Sequence, residues 1–124
     1  MPDEPPRESP PSAIPAVTVE KRGNAVVATL NVKLLDDASL KMLREVVDQA
    51  IADPSISPIV LDLARVELVP SLALGILVKI SGRCASENRA LKLAALRPQV
   101  RQVFKITRLD GLLNVVETVG SALQ

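Results

Sequence analysis

The residue with the most chemical promise in this sequence is Ser71. It lies in the stretch from Pro58 to Ile80, which reads P-I-V-L-D-L-A-R-V-E-L-V-P-S-L-A-L-G-I-L-V-K-I. The apolar run Ile59 to Leu63 fits a buried strand, and the break at Pro70-Ser71 opens a longer apolar segment that fits a helix, with the serine as its expected N-cap. Such a strand-to-helix turn directs a hydroxyl and several unpaired N–H groups into the positive end of the helix dipole, where an added phosphate is tolerated. Two readings of Ser71 stay open: a cap contributing about 1 kcal/mol, or a site of phosphorylation.

Other chemistry is bounded by inventory. There is no histidine and one cysteine, Cys84, so a His- or Cys-based metal site, a Ser-His-Asp triad and a Cys-His pair are excluded. A single cysteine in an expected helix reads as a small buried apolar residue. It closes no internal disulfide, which suits a reducing cytoplasm. Asp36 and Asp37 read as helix caps. Asp62, near the Ser71 turn, is a candidate for assisting a partner or a metal, but without a second carboxylate close by it reads better as a polar strand end. With no Gly-rich phosphate loop either, no enzyme activity and no cofactor are expected.

The single aromatic, Phe104, and a net charge of +1 argue against direct nucleic-acid binding by stacking or by electrostatic attraction. The acidic, proline-bearing start does not resemble a signal peptide, and no apolar segment reaches the roughly 20 residues of a membrane span. A cytoplasmic protein without membrane insertion is the expectation.

Residues 1–15 hold six of the ten prolines, mixed with Asp3, Glu4, Arg7 and Glu8, and are expected to form a flexible tail. Residues 16–124 then make one domain. Val17 to Lys21 alternates, with Val17 and Val19 expected inward. Gly23-Asn24 supplies a two-residue turn, and Ala25 to Val32 is a second strand, giving an N-terminal β-hairpin. Leu40, Leu43, Val47, Ala50 and Ile51 recur at helical spacing behind an aspartate cap and before Asp53-Pro54. Ile59 to Leu63 is expected at the centre of the sheet, covered on both faces. The helix from Leu72 to about Ser86 is too apolar for a surface helix, and Gly75 within it is expected to admit the close approach of a neighbouring backbone. Ala90 to Leu96 reads as a strand with Leu91, Leu93 and Ala95 on one face. Pro98 suits the first position of a helix with the core stripe Val100, Val103 and Phe104. A short last strand around Val115 and Val116 and a brief helix capped by Thr118 follow. The alternation predicts an α/β domain with a mixed sheet of four to five strands and flanking helices.

In that order, Ile59 to Gly75 and the later A-L-R-P-Q-V-R-Q-V-F-K-I-T-R-L-D-G-L-L-N-V resemble the STAS domain of bacterial anti-sigma-factor antagonists, over about residues 16 to 120. The turn is similar to the family's Asp-Ser-Ser-Gly-Leu-Gly. Here Pro70 stands for the Asp, Leu72 for the second Ser and Ala73 for the first Gly, and Leu74-Gly75 is retained. The last third resembles Ser-Pro-x-Val-x-x-x-Phe-x-x-Thr-x-Leu-x-x-Leu through Pro98, Val100, Val103, Phe104, Thr107, Leu109 and Leu112, with Arg97 in place of the leading Ser. The resemblance implies a partner-switching protein that binds an anti-sigma factor with serine-kinase activity only when unphosphorylated, and that a phosphatase resets. It implies phosphorylation at Ser71, and a partner surface of Asp36, Asp62, Pro70, Ser71, Leu72 and Gly75. The alternative is a docking or scaffold subunit of a larger signalling or transport assembly, never phosphorylated. The oligomeric state stays open.

Overall fold

A computed structural model describes residues 15–123. The expected tail, apart from Pro15, lies outside the described residues. Strands β1 (Val17–Arg22) and β2 (Ala25–Leu30) form the expected antiparallel hairpin, closed at the Arg22 and Ala25 pair. Gly23 takes φ +61° at the first turn position, a left-handed value that a residue without Cβ adopts freely. Helix α1 (Asp37–Ile51) follows, then β3 (Ile59–Asp62), α2 (Ser71–Ser86), β4 (Leu91–Ala94) and α3 (Pro98–Ile106). A single 3₁₀ turn, Leu109–Gly111, leads to β5 (Asn114–Val116) and α4 (Val119–Ala122).

The sheet order is β1-β2-β3-β4-β5, with β1 antiparallel and the other four strands parallel. Each parallel crossover steps to the next strand in the same direction. Right-handed crossovers of that kind place their helices on one side of the sheet. The core has that division: Val26, Ala28, Leu30, Ile59, Leu61, Leu91 and Leu93 pack with the buried stripes of α1, α2 and α3. The alternate residues Val27, Val60 and Ala94 face the other way and pack against Ala122 of α4. The central strand β3 is therefore covered on both sides, as its unbroken apolar run requires, but by three helices on one side and a single helical turn on the other.

Two expected positions are corrected. Val19 pairs with Ala28 on the helix side but is 51% exposed, because β1 is an edge strand with a neighbour on one flank only. Ala95 does not share a face with Leu91 and Leu93. It leaves β4 at φ +62°, outside strand geometry, with its N–H donating to the Glu117 carbonyl at 3.2 Å. In α3, Pro98 occupies the first turn, Val100 and Phe104 are buried, and the Thr107 hydroxyl donates to the Val103 carbonyl at 2.7 Å. The same carbonyl accepts from Thr107 N–H at 3.1 Å, and the hydroxyl also reaches the Phe104 carbonyl at 3.3 Å, so Thr107 closes the last turn through both backbone and side chain. Leu112 is exposed and Leu113 takes the core position beside it.

Candidate functional site

Parallel topology brings the amino ends of α1 and α2 to the same edge of the sheet, beyond the carboxyl ends of β2 and β3. The loops that precede them are zipped together. Glu67 and Leu68 N–H both donate to the Lys33 carbonyl, at 2.7 and 3.0 Å, and Leu35 N–H donates to the Leu68 carbonyl at 3.1 Å. Leu34 and Leu68 thereby form a short parallel bridge, and both present large apolar side chains to solvent, 43% and 59% exposed. Neither leucine was singled out from the sequence. In a string of alternating residues an exposed leucine looks the same as a buried one, and only the loop pairing reveals it.

Asp36 closes the α1 side of this surface. Its Oδ1 accepts from Ser39 N–H at 2.9 Å and from the Ser39 hydroxyl at 2.8 Å, while its own N–H donates to Ser39 Oγ at 3.0 Å. This is a reciprocal capping box with serine in the third position. The Ser39 N–H, followed by the Ser39 hydroxyl, holds the Asp36 carboxyl below its ordinary value.

On the α2 side the expected cap is corrected by one residue. Pro70, not Ser71, is the N-cap, with φ −64° and ψ 161° and no side-chain capping bond. The proline ring sets φ at a value compatible with the cap, and the Pro70 carbonyl accepts the first helical bond from Leu74 N–H at 3.0 Å. Ser71 is thus already inside the helix. It is exposed, and no hydrogen bond holds its hydroxyl among the described residues. The N–H groups of Ser71, Leu72 and Ala73 precede the first helical bond and have no side-chain cap; Ser71 and Leu72 are exposed at the positive end of this 16-residue helix, while Ala73 is buried.

Leu72 beside it is 65% exposed. One turn on, Gly75 is also exposed, and a Cβ built on it meets nothing within 4 Å. The close backbone approach expected at Gly75 is therefore absent among the described residues. The glycine leaves a low point on the outer side of the helix instead. Beyond it, Arg44, Asp48, Ile76, Lys79, Ile80 and Arg83 line a shallow groove of about 190 Å³ between α1 and α2, with an Arg83–Asp48 ion pair across it.

Pro70, Ser71, Leu72 and Gly75 therefore form one surface, joined by Asp36 through the Leu34–Leu68 bridge. Asp62 stands apart. As the alternate residue to Leu61 and Leu63 it faces away from α1–α3, and its Oδ1 accepts from Ala64 N–H at 3.0 Å. Among the described residues no three Asp, Glu or Cys side chains converge closely enough to hold a metal ion. Cys84 is fully buried in the core, and burial pushes its thiol up.

The family model for the STAS domain matches residues 16–122. Among solved structures, an anti-sigma factor antagonist from Mycobacterium paratuberculosis is 25% identical, with a TM-score of 0.72 over 94% of this chain and 96% of that one. An anti-sigma-factor antagonist (STAS) domain protein from Planctomyces limnophilus is 18% identical, with a TM-score of 0.74 over 90% and 97%. The Bacillus cell fate determinant SpoIIAA, solved in its phosphorylated form, is 20% identical with a TM-score of 0.66 over 87% and 96%.

Proposed function

The chain belongs to the STAS-domain family, and from that premise we propose that it is an anti-sigma-factor antagonist, a binding module that docks on an anti-sigma factor with serine-kinase activity and is switched off by phosphorylation of Ser71. The observation that carries this reading is the state of Ser71. It is exposed, its hydroxyl is unengaged among the described residues, and it stands at the start of α2, where it and the exposed Leu72 carry N–H groups that precede the first helical bond. A hydroxyl committed to a cap would be a poor phosphate acceptor, and proline at the cap position relieves Ser71 of that duty. A homologous fold is known in a phosphorylated form, in the Bacillus SpoIIAA.

The unmodified surface is apolar and nearly neutral: Leu34, Leu68 and Leu72 stand around Ser71, and Gly75 leaves room for a partner backbone to come close. Asp36 and Pro70 edge the same surface. Phosphate adds close to two negative charges there. The helix end accommodates that charge, but a partner surface packed against leucines must then desolvate it, and the Asp36 carboxylate adds to the repulsion. A penalty of a few kcal/mol on the complex lowers affinity by two orders of magnitude or more, at about tenfold per 1.4 kcal/mol. The domain does not have to move for the switch to work. The kinase and an opposing phosphatase are its partners in a cytoplasmic pathway. Among the described residues no helix is long and apolar enough to cross a membrane.

The test is mass spectrometry after incubation with ATP and extract of the source organism, comparing the natural chain with Ser71→Ala. One phosphate at Ser71, absent from the variant, supports the switch. Binding to the isolated kinase should then survive Ser71→Ala and weaken about 100-fold or more in Ser71→Asp. No phosphate, with a control substrate modified, rejects the switch in favour of a constitutive docking subunit. That second reading is favoured by Leu72 and Ala73, which make the turn bulkier than the family's Ser-Gly.

A further inference from the structure

The loops that leave β2, β3 and β4 border a second, open concave site, a shallow cleft of about 270 Å³ lined by Asn31, Val32, Lys33, Arg65, Glu67 and Arg97. It lies beyond the carboxyl ends of parallel strands, the position at which open α/β sheets commonly hold ligands. Three cations share it with one carboxylate, and no ion pair neutralises them among the described residues. Two of the cations are braced. Arg97 Nε donates to the Ala64 carbonyl at 2.9 Å, and Arg65 Nη1 reaches Asn31 Oδ1 at 3.4 Å. Asn31 is itself fixed, with Nδ2 donating to the Pro15 carbonyl and to Thr18 Oγ1, both at 3.1 Å.

Those bonds engage one nitrogen of each guanidinium. Both terminal nitrogens of Arg97, and Nε with the second terminal nitrogen of Arg65, keep their donors for something else. Like charges held together in a concavity repel, and the repulsion is relieved by an anion that bridges them. Paired N–H groups on a guanidinium match the oxygens of phosphate, and a phosphate dianion balances three cations set against one carboxylate. The volume falls just under the roughly 300 to 1,000 Å³ of pockets for drug-sized ligands, so the ligand is small. Arg97 stands where the family motif places a serine, which makes the site a property of this chain.

We propose that this cleft is a binding site for a small phosphate-bearing anion, held by Arg97 and Arg65 with Lys33 as a third charge. The site is independent of Ser71. The full chain, labelled with ¹⁵N, is titrated with inorganic phosphate and separately with glycerol phosphate, with chloride keeping ionic strength constant. The expected result is saturable, one-to-one shifts of the Arg65 and Arg97 Nε–H signals. Tighter binding of glycerol phosphate assigns the site to phosphomonoesters, and tighter binding of inorganic phosphate assigns it to the free ion. Arg97→Ser and Arg65→Gln should each weaken binding about tenfold or more, and Arg97→Lys, which keeps the charge but not the fork, should weaken it as well. Ser71→Ala should leave it unchanged. Melting temperatures equal to that of the natural chain show that the variants fold. The proposal is overturned by shifts that never saturate or that chloride reproduces, or by binding untouched in Arg97→Ser. Saturation seen only after residues 1–14 are removed also overturns it, because the chain's own Asp3, Glu4 and Glu8 would then be the occupants.

Discussion

Asp36 releases its proton more readily than a free aspartate because Ser39 donates to its carboxylate from both the backbone and the hydroxyl. Asp53 is held down in the same direction by the Ser55 hydroxyl at 2.7 Å and the Ser55 N–H at 3.0 Å. A carboxyl whose folded value is depressed stabilises the fold above its unfolded value, near 3.8, and loses that contribution as pH falls through the folded value. Asn caps as well as Asp but does not titrate there. The melting temperature of Asp36→Asn should therefore match the natural chain near neutral pH and fall less steeply on acidification below about pH 4. Parallel acid melting curves for the two proteins would contradict this. The caps also mark the limit of what single residues reveal. An aspartate cap was legible before the apolar repeat, but not which of Asp36 and Asp37 it is; Asp36 takes the cap and Asp37 falls in the first turn of the helix. The Ser71 cap was misplaced because cap identity depends on which residue adopts extended backbone, and proline does so without a capping side chain. Gly75 was misjudged for a related reason: sequence shows that a side chain is missing but not whether a neighbour fills the space.

Among the elements, α3 shows the closest agreement between pattern and packing. Proline at the first turn and the core stripe are local features that could be read in order along the chain; Val100 and Phe104 of that stripe are buried and Val103 is half-buried against them. The helix is only nine residues long and is too short to persist alone. Its place therefore depends on Val100 and Phe104, of which Phe104 is the larger and fully buried. Phe104→Ala should destabilise the domain by about 3 to 5 kcal/mol, and Phe104→Leu by considerably less, because much of the volume is kept. Urea unfolding followed by circular dichroism measures both, and a loss under about 1 kcal/mol for the alanine variant would show that α3 is held by something else. Edge elements were less legible than α3. The exposure of Val19 and the early end of β4 at Ala95 depend on where the sheet stops and where the chain must turn, which no local period encodes.

At the scale of the molecule, three helices guard one side of the sheet and the short α4 guards the other. α4 is secured by the Thr118 hydroxyl, which accepts from Ser121 N–H at 2.9 Å, and by Lys92, whose Nζ donates to the Ala122 carbonyl at 3.1 Å. Ending the chain after Glu117 removes α4 and uncovers Val27, Val60 and Ala94. The expected loss is roughly 3 to 6 kcal/mol, the scale of exposing two valines, together with increased binding of the dye ANS. A truncated chain with unchanged melting and no added dye binding would show that the second core is dispensable. The division into two unequal cores follows from the sheet order, and that order has a consequence for how the molecule is made. Spatial sequence and chain sequence coincide, so each strand emerging during synthesis meets, as its docking edge, the strand completed just before it. No strand has to be inserted between two that are already joined. The growing domain extends in one direction, each helix–strand unit templating the next, with loop closures kept short throughout.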